Sequence, residues 1–349
     1  MNLPREVPMD AFGDCRPGSD LCPRLTHGLP GIGGAITGEP EDFRVDEIPS
    51  YTASGSGDHW MVRIRKRNLS TPHLCRLLAR SSHCSERDIG AAGRKDTRAI
   101  TTQWISLPVE PVLPDDDRIE FLEVARHGNK LRRGHLKANA FEIKVGSVHE
   151  DAADRLPLLL ERLRNGVPNY YGVQRFGRAG AGADESLELF RSGRRSRKHD
   201  LRFATSIIQA AYFNRWLGLR IHEGILDTVL PGDILKKRET GGLFTSDNAT
   251  VDQGRMDALE LDVTGPMYGP KMRYAEEIAG ERELMLRDAG PLTEENWAQL
   301  ARFGKGSRRV ARMVPTAVST HFDDSDLWLK FTLPAGAYAT VFISELTHG

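Results

Sequence analysis

The chain has 349 residues, of which 39% are hydrophobic and 28% charged; this profile excludes a disordered protein and leaves room for two domains. Its formal net charge of zero excludes recognition of nucleic acid through bulk positive charge, so any basic surface has to be local. The four cysteines form no CxxC pair and the eleven histidines no HExxH motif, which favours free thiols over a metal site.

Membrane and export signals are absent from the sequence pattern. No stretch approaches the 18 apolar residues that a membrane-spanning helix needs. The first residues, MNLPREVPMDAFGD, carry early acids and lack the apolar run of a signal peptide. We therefore expect a soluble, cytoplasmic protein without a membrane partner.

The first half of the chain predicts strands interrupted by helices. Residues 1–30 are rich in proline, glycine and aspartate, which predicts a loose N-terminal extension. From Gly31 we predict two short extended runs around a turn, then a half-buried strand over HWMVRIRKR. A helix follows, with Thr71 as the expected cap and Pro72 at its first position. Further elements are predicted at AITTQWISLPV, DDRIEFLEVARHG and NAFEIKVGSV (strands) and at EDAADRLPLLLERLRNG (helix).

Residues 166–313 differ in composition from what precedes them. They contain a glycine-rich segment, an arginine cluster at 191–202, and a predicted long helix from residue 201 whose buried stripe would include Phe203. The chain then returns to strands around a hairpin turn predicted at 323–324. Strands, a helical insertion and strands again predict an α/β or α+β architecture.

One carboxylate stands among cations in GAAGRKDTRAITTQW, residues 90–104. Asp96 is surrounded by Arg94, Lys95 and Arg98, and an extended backbone would place side chains 94, 96 and 98 on one side. Nearby cations favour the ionised form that a nucleophile or base needs. Gly90 and Gly93 would permit close backbone approach. The alternative is an exposed turn with solvated ion pairs.

A second basic segment lies between two predicted strands, at 126–141. Its cations can grip phosphates, Asn139 can hydrogen-bond a base edge, and Phe141 can stack on a base. The alternative is a solvated hairpin followed by a core phenylalanine. Phe43, in PEDFRVDE, likewise suits either stacking on a flipped base or the core.

The glycine-rich segment PNYYGVQRFGRAGAG does not fit a nucleotide-binding loop. It has neither GxxxxGK[ST] nor GxGxxG between a strand and a helix, so no nucleotide cofactor is expected. Its aromatic pair Tyr170 and Tyr171, together with Arg175, would line an RNA groove or form a packed turn between domains.

Taken in this order, these segments resemble the TruD family of tRNA pseudouridine synthases. The family's Gly-x-Lys-Asp stretch and following Gln-Trp strand stand here as Gly93–Asp96 and Gln103-Trp104. The other matching motifs are PEDF-V-E at 40–47, KLR-G with N-F at 130–141, PNY-G-QRFG at 168–177, and LPAG-aromatic-AT at 333–340. The resemblance covers residues 31–346.

The resemblance implies roles for individual residues. Asp96 would be the catalytic aspartate, and the residues expected to bind the uridine are Phe43, Asn139, Phe141 and Tyr338. The residues expected to contact the RNA backbone are Arg94, Lys95, Lys130, Arg132, Arg133 and Arg175. Two positions depart from the family: Tyr338 stands where phenylalanine is usual, and Thr37 where lysine is common.

The resemblance also implies the fold and the activity. We expect a catalytic domain with a mixed, largely antiparallel sheet flanked by helices, made of residues 31–165 and 314–349, and an inserted α/β domain at 166–313. The expected enzyme is a monomeric isomerase that flips uridine 13 of tRNA into an aromatic pocket, with tRNA as partner and without cofactor or metal. The alternatives are a tRNA-binding protein or chaperone without catalysis and a hydrolase that expels the base.

Overall fold

The structure is a computed structural model that describes residues 12–177, 182–192 and 196–349. The strands are β1 Gly33–Ile36, β2 Phe43–Pro49, β3 His59–Arg67, β4 Gly90–Ala91, β5 Ile100–Leu107, β6 Ile119–His127, β7 Leu136–Val148, β8 Val167–Pro168, β9 Ile234–Lys237, β10 Leu243–Thr245, β11 Leu261–Met267, β12 Ser307–Val310, β13 Arg312–Met313, β14 Thr316–Asp323 and β15 Asp326–Pro334. The helices are α1 Thr71–Ser81, α2 Ala152–Arg162, α3 Gly182–Arg191, α4 Lys198–His222, α5 Ala249–Asp257, α6 Glu277–Asp288, α7 Glu294–Leu300 and α8 Ala339–Thr347. This mixed α/β content confirms the predicted fold class.

The chain folds as two compact units. The sheet unit comprises residues 32–154, 315–336 and 349, and the helical unit comprises the described residues of 1–31, 155–314 and 337–348. The described residues of the segment predicted as an inserted domain, 166–313, lie in the helical unit, and so do residues 155–165, which were predicted in the catalytic domain. The C-terminal residues divide between the two units. The hairpin of β14 and β15 belongs to the sheet unit, and α8 belongs to the helical unit.

The sheet unit is built on one large mixed sheet. Its strand order is β14-β15-β7-β2-β5-β3-β6, with β1 paired to β7 and β4 to β5, which makes nine strands in the described part of the chain. Every pair is antiparallel except β2 with β5. The predicted largely antiparallel sheet is thus confirmed. Register places Glu47 directly opposite Asn139.

Helix α1 covers one face of this sheet because both surfaces are apolar there. Val62, Ile64 and Ile105 from β3 and β5 are fully buried with Leu74 and Leu78 of α1. Alternation along β3 predicted this inward face, and the 3.6-residue period predicted the leucine stripe.

The cap of α1 is one residue earlier than predicted. The Ser70 hydroxyl accepts a hydrogen bond from the His73 main-chain N–H at 3.3 Å, so Ser70 caps the helix. The predicted cap, Thr71, is the first helical residue. Its hydroxyl donates to Gln103 Oε1 at 2.9 Å instead.

The helical unit is organised around α4, which spans 25 residues. Its central part is buried almost all round, so its apolar pattern is broad rather than one stripe. Ile207 and Ile208 are buried as predicted, but Phe203, predicted in the same stripe, is 54% exposed because it lies in the helix's first turns, before the buried stretch begins. Small sheets of order β10-β9-β11-β12 and β13-β8 accompany the helix.

The described part of the predicted N-terminal extension is packed onto this unit. Phe12 and Cys22 are fully buried. The main-chain N–H groups of Leu25 and Thr26 both donate to the Glu345 carboxylate of α8, each at 3.1 Å. Residues 12–30 are therefore held by buried contacts rather than loose.

The hairpin turn between β14 and β15 lies close to its predicted position. Asp323 pairs with Asp326, so the hairpin turn consists of residues 324–325, one residue later than predicted. Asp324 takes the left-handed conformation there, with φ of 51°, which aspartate tolerates better than most side chains.

Over the described residues, every helix is too short or too polar to cross a bilayer.

The two glycines before Asp96 are expected to differ in tolerance to substitution. A Cβ on Gly90 would lie 2.4 Å from the Leu131 carbonyl oxygen, whereas a Cβ on Gly93 would meet only Leu136, at 3.6 Å. Gly90→Ala should destabilise the protein by about 2 kcal/mol, since backbone has to move, and Gly93→Ala should cost less than about 0.5 kcal/mol. Urea unfolding of the two variants measures this, and equal midpoints would contradict it.

Candidate active site

Asp96 lies in an irregular loop between β4 and β5. Residues 92–99 form no strand ladder; Arg94 and residues 96–98 are exposed, while Lys95 is buried. Exposure does not alternate regularly here, so the common side for residues 94, 96 and 98 stays a prediction. The arrangement directs the Asp96 carboxylate outward and the Lys95 ammonium inward.

Hydrogen bonds to residues 66–71, which run from the end of β3 to the start of α1, hold the main chain of this loop. The Lys95 N–H donates to Thr71 Oγ1 at 3.0 Å. The Asn68 N–H donates to the Ala99 carbonyl at 3.2 Å. Lys66 Nζ donates to the Asp96 carbonyl at 3.1 Å. The loop is thus irregular but anchored on both sides of Asp96.

The Lys95 side chain forms a buried ion pair in the sheet unit. Its Nζ lies 3.0 Å from Glu47 Oε2, and the two side chains are 4% and 1% exposed. The same ammonium donates to Asn139 Oδ1, and Glu47 Oε1 accepts from the Trp104 N–H at 3.3 Å. An ammonium enclosed in this way faces protein groups. Its placement suits the positioning of Asn139 rather than the predicted contact with an RNA phosphate.

Contact with Lys95 orients the Asn139 side chain. Because an ammonium only donates hydrogen bonds, the oxygen of the amide has to face Lys95. The Nδ2 group then points away from it, and it makes no hydrogen bond with the described residues. Asn139 is half-buried, so this group is an oriented donor suited to a carbonyl oxygen at a base edge.

The two predicted phenylalanines occupy different environments. Phe141 is 8% exposed and stacks on Phe331 with ring centroids 5.3 Å apart. Phe43 contacts Phe141 edge-to-face at 6.4 Å and is only half-buried. Phe43 therefore offers ring surface for stacking, while Phe141 supports it from the core.

Part of the predicted basic surface is exposed. Arg94, Arg132 and Arg133 are exposed and form no ion pair within the described part of the chain. Lys130 is half-buried and donates to the Arg87 carbonyl. Thr37, which replaces the family lysine, donates to Asp42 Oδ2 at 2.7 Å and so forms a local turn contact.

Tyr338 and Arg175 belong to an aromatic–arginine cluster of the helical unit. Tyr338 precedes α8 and its ring lies 5.8 Å from that of Tyr171. The Arg175 guanidinium lies 5.8 Å from the rings of Tyr171 and exposed Phe203, and that of Arg309 lies 4.1 Å from Tyr171. Burial lowers the pKa of Arg309. Tyr170, predicted with them, is fully buried in the core, and so is Phe176.

The sequence analysis gave no role to several residues of the Asp96 site. Glu47, Thr71 and Lys66 each contact Lys95 or the Asp96 loop. A signal existed for Lys66, since alternation along β3 places it on the same inward face as Val62 and Ile64. Glu47 carried the same signal, since alternation along β2 places it on one face with Val45. Thr71 carried none for this contact, because its partner is distant in sequence.

The comparison with known families decides the identity of this arrangement. The model described as tRNA pseudouridine synthase D (TruD) matches residues 23–181 and 202–346. The chain belongs to the TruD family. Members of this family are pseudouridine synthases, so the enzyme is an isomerase, as predicted.

Proteins similar to this one align with nearly the whole of its chain. The tRNA pseudouridine synthase D of Anaeromyxobacter dehalogenans is 41% identical over 337 residues, which cover 93% of this chain and 96% of the relative. That of Thermus thermophilus is 37% identical over 93% of this chain and 91% of its own length. The crystal structure of a TruD protein from Methanosarcina mazei matches the fold with a TM-score of 0.72 at 24% identity, over 92% of this chain and 95% of that one.

Loss of the Glu47 charge should destabilise the sheet unit. Glu47→Gln leaves the Lys95 ammonium buried without its counter-ion, which should cost about 3 kcal/mol. The matched control is Glu120→Gln, which breaks the exposed pair of Arg65 and Glu120 and should change stability by less than about 0.5 kcal/mol. Urea unfolding followed by tryptophan fluorescence measures both. Equal losses in the two variants would show that the buried pair is not special.

Proposed function

We propose that the protein converts uridine 13 of tRNA into pseudouridine, with Asp96 as the catalytic carboxylate. The position in tRNA is taken by analogy with the family. One observation carries the proposal: the exposed Asp96 directly follows Lys95, whose buried ammonium orients Asn139. Lys95 therefore connects the carboxylate of its neighbour Asp96 with the amide of Asn139, which it orients. The chain belongs to a family of pseudouridine synthases.

The reaction requires a carboxylate and no external reagent. The bond between ribose C1′ and uracil N1 breaks, a bond between C1′ and C5 forms, the C5 proton passes to water, and N1 gains a proton. Atoms and electrons balance without redox change or group donor, so the chemistry needs no cofactor. Asp96 would act as nucleophile or as base, and its exposed position gives substrate access to it.

Uridine has to leave its stack before Asp96 can reach it. Extrusion of a base costs a few kcal/mol, which stacking and edge hydrogen bonds offset. The half-buried ring of Phe43 would stack on uracil, and Asn139 Nδ2 would donate to a uracil carbonyl. Tyr338 is proposed as a further member of the pocket, in the place where the family usually has phenylalanine.

The RNA backbone would be held by the exposed cations of the two loops. Arg94, Arg132 and Arg133 present unpaired guanidinium groups in the described structure, and Lys130 lies between them in the chain. Arg175 would add a contact from the helical unit. A local basic surface of this kind explains how a chain of zero net charge binds tRNA. We place the enzyme in the cytoplasm, as a monomer acting on tRNA.

The role of Asp96 is tested by removing its charge. Asp96→Asn should abolish pseudouridine formation, measured as tritium release from C5-labelled uridine in tRNA, while tRNA binding in a gel shift stays within about threefold because the exposed side chain is nearly isosteric. The matched control, Asp115→Asn, changes another exposed aspartate of the sheet unit and should keep full activity.

Each contrary result has a defined meaning. Tritium release that persists in Asp96→Asn would remove Asp96 from the chemistry. Wild-type protein that binds tRNA without tritium release would be the non-catalytic binding protein considered above. Free uracil in chromatography of the wild-type reaction would identify a hydrolase.

The phosphate contacts are tested by salt dependence. Arg133→Ala should lower the slope of log K against log salt concentration for tRNA binding by about 0.7 to 0.9, the value for one phosphate contact. Arg164→Ala removes a cation already paired with Glu161, at 2.6 Å, and should leave the slope unchanged. Filter binding between 50 and about 300 mM salt measures both slopes. Identical slopes for wild type and Arg133→Ala would exclude this contact.

A further inference from the structure

Lys66, on β3, is fully buried, and main-chain oxygens hold its ammonium. Nζ donates to the carbonyl of Leu69 and, at 3.1 Å, to the carbonyl of Asp96. Its neighbours in register on β5 and β6, Thr101 and Ile119, are uncharged. The ammonium therefore joins the segment after β3 to the peptide of the predicted catalytic residue.

A charge at this place is costly. Burial lowers the pKa of Lys66 from 10.5 to about 8; the Asp96 carboxylate raises it in part, and the Lys95 ammonium lowers it. The positive charge of Lys95 is itself balanced by the carboxylate of Glu47. An apolar side chain of the same length would fill the space without this desolvation cost. Packing alone thus gives no reason for an ammonium here, whereas the need for a strong donor to the carbonyls of Leu69 and Asp96 does.

The other anchors of the loop are of a different kind. The bonds from the Lys95 N–H to Thr71 and from the Asn68 N–H to Ala99 use neutral groups that keep their protons at any pH of interest. Neither acts on the Asp96 peptide itself. The Lys66 bond does, and it is charge-assisted, which makes it about twice as strong as a neutral one.

We propose that Lys66 is a positioning residue for the Asp96 loop, which acts through the main-chain carbonyl of Asp96 and not by touching uridine. The proposal rests on the proposed function of Asp96. When Lys66 is charged, its bond keeps the Asp96 peptide in one orientation and the carboxylate directed to the substrate. When it loses its proton, the bond loses its charge assistance and the loop is held less firmly.

This role predicts opposite effects of alkaline pH on activity and on stability. The rate should fall above a pH of about 8 as one proton is lost from Lys66. Between that pH and 10.5 the unfolded chain binds more protons at this lysine than the folded chain, so its contribution to the free energy of unfolding rises with pH. Unfolding caused by Lys66 therefore cannot explain the fall in rate.

The test measures single-turnover tritium release from C5-labelled tRNA between about pH 6.5 and 9.5 for wild type, Lys66→Met and Lys66→Arg. In wild type, the rate should fall above the midpoint and then level off at a rate no lower than that of Lys66→Met, because the uncharged lysine still donates to the Asp96 carbonyl, only more weakly. In Lys66→Met, the rate at neutral pH should be lower than that of wild type by up to about tenfold, and the affinity for tRNA should stay within about twofold. The alkaline fall in rate should be absent from this variant. Lys66→Arg keeps its charge, so it should lack the alkaline fall and recover part of the rate. Arg65→Met, an exposed neighbour on β3, is the control and should match wild type.

The results separate this proposal from the one on which it rests. A wild-type rate that is flat across this pH range, or a Lys66→Met variant with wild-type rate and profile, overturns the role of Lys66 and leaves Asp96 untouched. The wild-type profile decides this even where circular dichroism shows that a variant has not folded. Wild-type protein that forms no pseudouridine at any pH removes both proposals.

Discussion

The buried ion pair of Lys95 and Glu47 is the constraint on which the candidate site depends. Two opposite charges that have left water have to stay together, because either one alone in the interior would be strongly destabilising. Glu47 lies on β2 opposite Asn139 of β7, so the strand register also delivers the amide to the same ammonium. The pair thereby ties a loop residue to the centre of the sheet and determines which way its neighbour, Asp96, faces.

The loop combines a fixed main chain with outward side chains. Regular pairing ends after Gly90 and Ala91 and resumes at Ile100, and between them the loop is held by polar contacts rather than by a ladder. Those contacts come from Lys66 near the end of β3, from Asn68 between β3 and α1, and from Thr71, the first residue of α1. A reactive group on such a loop keeps the precision of the scaffold and stays open to a large substrate.

Buried ion pairs are also present in the helical unit, where they hold its elements together. Arg220 of α4 pairs with Asp233, which directly precedes β9, and Arg308 of β12 pairs with Glu283 of α6; both pairs are almost completely enclosed. Burial raises the pKa of Glu283, although Arg308 opposes the rise. The exposed Phe203 and its neighbour Arg175 stand apart from this packing, since an aromatic ring left open to solvent beside a guanidinium contributes little to a core.

The elements of the fold were largely predictable from local pattern. Alternation gave β3, the content of β-branched and aromatic residues gave β5, and the leucine period gave α1. The prediction was wrong by one residue where two possible caps are adjacent: Ser70, the better N-cap type, caps α1, and the hydroxyl of Thr71 donates to Gln103 instead. The packing of residues 12–30 was not predictable, because it depends on Glu345, more than 300 positions away.

For the proposed site, the sequence alone identified the candidate side chains, and the tertiary structure decided how they are arranged. Asp96 and Asn139 are readable as residue types in a motif. The inward turn of Lys95, its pairing with Glu47 and the contact of Lys66 with the Asp96 carbonyl were not readable, because each joins residues from different strands or loops. Motif spacing reports chemistry along the chain, whereas burial and hydrogen-bond partners arise only when distant segments meet in the folded sheet.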